Sequence, residues 1–202
     1  MRIIDLTHTF EGTMPSYPGD PVPSLKKILK DECMDHALST TMHIGTHMDA
    51  PLHMIAKGSY LSDIPADRFV GRGVLIDARG QDALSVDLLE KSDVREGDIV
   101  LLYTGHGETF HEKTYYAHYP LCTEDFAEEI VRRKVKIVGM DTASPDASPF
   151  PVHKILLGIG ILIIANLCNL KALLDCGAFT VAALPMKLKS DAGPVRVVAI
   201  QE

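Results

Sequence analysis

The chain has 202 residues, 46% hydrophobic and 23% charged, the proportions of a water-soluble globular domain and not of a disordered, collagenous or disulfide-framed chain. Its 20 Lys and Arg against 27 Asp and Glu give a net charge of −7. That excludes a general nucleic-acid binder, which needs a basic face larger than the Arg132-Arg133-Lys134 run. The opening Met1–His8 has no apolar core of a signal peptide. The most apolar stretch, 155–165, is broken by Gly158 and Gly160 and falls short of the ~20 residues that span a bilayer. The four cysteines have no paired spacing, so reduced thiols in a cytoplasmic protein without membrane attachment are expected.

In chain order, Met14-Pro15-Ser16-Tyr17-Pro18-Gly19-Asp20-Pro21 reads as a rigid loop, because three prolines fix φ. Val74–Ile76, Ile99–Tyr103 after the turn Glu96-Gly97-Asp98, and Lys136–Met140 are apolar runs of strand length. Ser85 is placed to cap a helix carrying Leu88 and Leu89. Thr123 is placed to cap a second, with Phe126, Ile130 and Val131 on one face. His153–Leu157 forms a third helix. Ile161–Ile164, Phe179–Ala183 and Val195–Ile200 close the chain as strands. Strands alternating with helices predict an α/β fold, here one domain over 1–202 with a mixed sheet and flanking helices.

The chemistry concentrates in Thr41-Met42-His43-Ile44-Gly45-Thr46-His47-Met48-Asp49-Ala50-Pro51-Leu52-His53. Three of the nine histidines fall within eleven residues, where even scatter would put about half a histidine. Imidazoles with a carboxylate among them are the composition of a metal site. A strand would put His43, His47 and Asp49 on one face, but four residues of strand cover about 13 Å. A helix would bring His43 and His47 within about 6 Å and turn Asp49 away. A sharp bend at Gly45-Thr46 resolves the conflict. Pro51 biases Ala50 to extended backbone, which is expected to set His53 apart. His43, His47 and Asp49 are therefore read as metal ligands and His53 as a separate acid/base. A hydrogen-bonded polar cluster is the competing reading.

The run HxGTHxDxPxH resembles the signature of the cyclase family of metal-dependent hydrolases, which includes bacterial kynurenine formamidases and isatin hydrolases. Further likenesses follow in order: Ile4–His8 to an opening strand, Met14–Pro21 to an MPxYPGDP loop, Gly97–Leu101 with Thr104-Gly105 to a central strand and pocket loop, and Gly139–Ser144 to a GxDTxS turn. Leu184–Leu188 and Gly193–Arg196 resemble its closing strands. The resemblance implies a swivelling β/β/α domain, assembled as a homodimer or homotetramer. It implies His43, His47, Asp49 and His153 as metal ligands together with a glutamate, and His53 as proton donor and acceptor.

Two positions depart from the family pattern. Ala165 stands where the glutamate ligand is expected, so one ion per chain is expected in place of two. Tyr17 stands where kynurenine formamidases tend to carry Trp beside the substrate ring. Tyr17 and His106, the latter directly after Thr104-Gly105, are candidate substrate-binding residues; an ordinary loop histidine is the other reading of His106. Tyr115, Tyr116 and Tyr119 have no metal-type spacing and could cover a pocket or an interface. The expected activity is hydrolysis of a small amide, a formamide or a cyclic amide, by metal-activated water. Zinc is the expected ion, since it suits three imidazoles and a carboxylate, with manganese as the second choice. The alternative is a catalytically impaired metal- or ligand-binding member of the family, because of Ala165. A serine hydrolase is disfavoured, since no GxSxG occurs.

Overall fold

The structure is a computed structural model that describes residues 1–30 and 32–201. Its strands are β1 (Arg2–Asp5), β2 (Ser24–Lys30), β3 (Cys33–Ser39), β4 (His47–Asp49), β5 (Val70–Asp77), β6 (Ala83–Leu84), β7 (Ile99–Tyr103), β8 (Leu121–Cys122), β9 (Ile137–Met140), β10 (Leu162–Ala165), β11 (Phe179–Pro185) and β12 (Ala192–Gln201). The α-helices are α1 (Asp87–Glu90), α2 (Glu124–Arg132) and α3 (Pro151–Gly158).

Eight strands form one mixed sheet in the order β1-β12-β11-β5-β7-β9-β10-β4. β5, β7, β9 and β10 run parallel, and the remaining pairings are antiparallel. β4 pairs with both β10 and β12, so the sheet closes on itself like a barrel instead of leaving β4 as an open edge.

This closure explains the apolar runs read as strands. In β7 all five residues are buried. Ile99, Leu101 and Tyr103 face one core, which draws side chains from strands all round the closed sheet. Val100 and Leu102 face a second core beneath α2 and α3, with Phe126, Ile130, Leu156 and Leu157. A strand buried on both faces cannot show a two-residue alternation. Each large apolar side chain buried in this way contributes roughly 1.5–3 kcal/mol.

β5, α3, β11 and β12 run longer than predicted, β7 has the predicted bounds, and β9 and β10 each start one residue later. The helix predicted after Ser85 is a single turn, α1, whose N-cap is Val86. Thr123 does occupy the N-cap of α2, in extended conformation, but its hydroxyl meets the Asp125 carboxylate and caps no backbone N–H. The β2–β3 hairpin and the three-residue β4 went unread. The hairpin lacks alternation because every described residue of β3 is exposed.

Candidate metal centre

Gly45 has φ +56°, a left-handed conformation that glycine adopts freely. A side chain there would also run into the Met14 terminal methyl. The bend spans residues 42–46 and folds His43 back over β4. Along β4, Met48 enters the barrel core, so His47 and Asp49 project from its other face. α3 brings His153 to the same place. Asp146 accepts hydrogen bonds from Val152 N–H (2.6 Å) and His153 N–H (3.3 Å), satisfying the open N-terminus of that helix.

Three imidazole nitrogens converge on the buried Asp49 carboxylate. His43 Nδ1 lies 2.9 Å from Oδ1, His47 Nε2 3.7 Å from Oδ1, and His153 Nε2 3.9 Å from Oδ2. The far nitrogen of each ring is tied to an oxygen. His43 Nε2 donates to Asp191 Oδ2 (3.0 Å), His47 Nδ1 donates to the Gly45 carbonyl (2.8 Å), and His153 Nδ1 meets the Asp146 carboxylate. Such partners fix the ring and its tautomer and leave the inner nitrogen free to bind a metal. Asp49 Oδ1 is buried and makes no hydrogen bond, although His43 Nδ1 lies 2.9 Å away. An uncompensated buried carboxylate oxygen is costly, and a divalent cation held with three imidazoles compensates it. The donor set therefore fits a metal ion.

Burial would raise Asp49, but the surrounding imidazoles, His43 foremost, hold its carboxyl well below the usual carboxylate range. Burial pushes His43 down, and Asp49 and Asp191 on its two sides outweigh that and raise it to about 9. Burial lowers His47, against the pull of Asp49. Burial likewise lowers His53, which favours the neutral ring a base requires.

His53 is not set apart, contrary to the expectation. Ala50 is extended, as Pro51 requires (φ −99°, ψ 164°), but the 3₁₀ turn Pro51–His53 then reverses the chain. The His53 ring centroid lies 4.2 Å from that of His43, and ligand atoms of His43, Asp49 and His53 lie within 4.8 Å of one another. His53 Nδ1 donates to the same Asp191 oxygen, at 3.3 Å. Asp191 is a site residue that the sequence reading missed, as is Asp146.

The group opens into a cavity of about 500 Å³, within the range of small-molecule sites. Tyr17, Tyr116, Tyr119 and Phe150 form its aromatic walls, and Ala165 faces it beside His47. Tyr115 is buried behind the wall, where its hydroxyl donates to Asn166 Oδ1 (2.7 Å). His106 does not line the cavity. Its Nε2 donates to the Tyr115 carbonyl (2.7 Å) and its ring stacks on Tyr115 at 4.7 Å, so the 105–109 turn directs it away from the histidine cluster. That corrects its placement as a substrate-binding residue.

Residues 4–147 match the Cyclase family model, and the chain belongs to that family. It is 31% identical over 202 residues to the uncharacterized protein MJ0783 of Methanocaldococcus jannaschii, covering 99% of this chain and 100% of the relative. It is 28% identical over 208 residues to the kynurenine formamidase of Salinibacter ruber, covering 98% and 97%. Among solved structures it resembles a potential metal-dependent hydrolase with cyclase activity (TM-score 0.83, 29% identity, 100% and 99% covered). It also resembles isatin hydrolase A from Ralstonia solanacearum (TM-score 0.88, 26% identity, 100% and 92% covered). The swivelling α/β fold of this family is thus confirmed, with the sheet closed like a barrel. No similarity found favours an impaired binding protein over a hydrolase. Among the described residues, no helix is long and apolar enough to cross a membrane.

Proposed function

We propose that the chain is a metal-dependent hydrolase of small amides, either formamides or cyclic amides. The observation that carries this reading is the buried, unbonded Asp49 oxygen faced by imidazoles whose other nitrogens are already tied. The kinship with a kynurenine formamidase and an isatin hydrolase supports it. His43, His47 and Asp49 would hold the ion, with His153 completing the set. When bound, a divalent ion supplies a water of lowered pKa and a Lewis acid for the carbonyl oxygen.

The chain's own residues supply the rest. His53 Nδ1 is held by Asp191, so Nε2 is free to take a proton and return it to the leaving nitrogen as the C–N bond breaks. Tyr17, Tyr116 and Tyr119 offer apolar ring faces to a planar substrate. Zinc suits this nitrogen-rich donor set better than manganese. One ion per chain is proposed, because the Ala165 methyl offers nothing to a second.

A second copy of the chain belongs to this reading, as a homodimer or homotetramer. The β2–β3 hairpin presents Leu25, Leu29, Met34 and Leu38 on one face, each more than two-fifths exposed, and a lone two-stranded hairpin is barely stable in water. A cytoplasmic location goes with four free cysteines.

The test is turnover of N-formylkynurenine and of isatin by the zinc-loaded protein and its His53→Ala variant. The variant should retain its zinc and lose roughly 10²–10⁴ in kcat. Loss of zinc along with activity would make His53 a ligand, and failure of the wild type on every small amide tried would overturn the reading.

A further inference from the structure

Asp191 lies far from the histidine motif in sequence, yet its place is tightly set. Its own carbonyl accepts from Ala50 N–H (2.9 Å), and the next residue, Ala192, is in register with Asp49 across the β12–β4 pairing that closes the barrel. Its carboxylate thereby reaches the outer side of the histidine cluster. One oxygen, Oδ2, meets both His43 Nε2 (3.0 Å) and His53 Nδ1 (3.3 Å). For both rings to donate to that oxygen, His43 must carry a proton on Nε2 and His53 on Nδ1, so a neutral His53 has its bare nitrogen at Nε2. The two rings are already close, 4.2 Å between centroids, so the shared oxygen also sets their relative tilt. Other carboxylates near the cluster cannot substitute. Asp49 faces the inner nitrogens, and Asp146 is engaged by His153 and the start of α3.

We propose that Asp191 is a positioning residue that locks the ligand His43 and the acid/base His53 together through one carboxylate oxygen, so that metal affinity and the tautomer of His53 depend on the same side chain. The proposal rests on the hydrolase reading for the roles of the two rings, but its test need not involve substrate. With a side chain 39% exposed, Asp191 can be replaced without opening the core. Asp191→Ala removes the acceptor, whereas Asp191→Asn keeps an acceptor oxygen and the side-chain shape.

Long-range ¹H–¹⁵N spectra of histidine-labelled, metal-stripped protein read the protonated nitrogen of each ring, and competition with a zinc chelator reads affinity. In the wild type, His53 should be protonated on Nδ1. In Asp191→Ala it should shift towards Nε2–H and the zinc Kd should rise about 10–100-fold, the usual cost of losing a partner of a ligating histidine. Asp191→Asn should restore the Nδ1–H form and part of the affinity. If His53 keeps its wild-type tautomer in a folded Asp191→Ala protein, or if only the zinc Kd changes, the shared lock is wrong. A wild-type chain that takes up no zinc overturns the hydrolase reading instead, and the tautomer comparison then decides the proposal alone.

Discussion

Position 165 sits opposite His47 in the β10–β4 pairing, with its side chain on the cavity wall. A carboxylate there would stand within reach of the Asp49 and His153 side of the cluster. Ala165→Glu should therefore raise bound zinc from one ion per chain towards two, as measured by elemental analysis after dialysis. Without metal the same variant should melt lower than the wild type, because the carboxylate would be buried unpaired. Two full ions in the unaltered protein would show that another group already fills the glutamate's place. His8 carries a separate residue-scale prediction. Its ring stacks on Phe110 at 3.8 Å, and its buried Nε2 has no hydrogen-bond partner. Burial, and then the neighbouring His111, push His8 from its ordinary 6.5 down to about 4. Between those values the unfolded chain takes up the proton that the folded one refuses, so this contribution is complete above pH 6.5 and is lost as pH falls towards 4. His8→Phe should lose less melting temperature between pH 7 and pH 4.5 than the wild type does over the same range, as read by scanning calorimetry.

At the scale of elements, the site depends on three short pieces of backbone: the bend at 42–46, the strand β4 and the turn Pro51–His53. Gly45 is the weak point of the first. Gly45→Ala forces a Cβ into a left-handed residue, at about 1–2 kcal/mol, and against Met14. The expected result is a lower melting temperature together with weaker zinc binding, since His43 is carried by the distorted bend. A variant with unchanged zinc affinity would show that the bend does not position His43. The bend itself is readable in sequence, because only a glycine between two histidines lets both reach one carboxylate. The position of His53 is not readable in the same way. Pro51 does extend Ala50, but it also opens the 3₁₀ turn that reverses the chain, through hydrogen bonds of Met54 and Ile55 N–H to the Pro51 carbonyl.

The whole molecule brings the site together from distant parts of the chain. β4 closes the sheet by pairing with β10 on one side and β12 on the other, while α3 adds His153 and the Asp191 segment adds its carboxylate. An ion held on His43, His47, Asp49 and His153 would thus cross-link the bend, a barrel strand and a helix of the outer layer. Zinc should raise the melting temperature and a chelator should lower it, the shift growing with free zinc as expected for a ligand that binds only the folded chain. A melting temperature indifferent to both zinc and chelator would show that the folded chain binds no zinc.

The residues with local chemistry were legible from the sequence. His43, His47 and Asp49 declare themselves by type and spacing, the glycine between them by its backbone freedom, and the buried strands β7, β9 and β10 by apolar runs. The family likeness added His153. The tertiary structure alone decided the rest, because hydrogen bonds between residues 148 apart, such as His43 to Asp191, leave no periodic trace. It placed Asp191 and Asp146 behind the histidines, returned His53 to the cluster and turned His106 away. It also closed the sheet through strand pairs whose partners are set by packing around the whole barrel and not by any one segment's own preference.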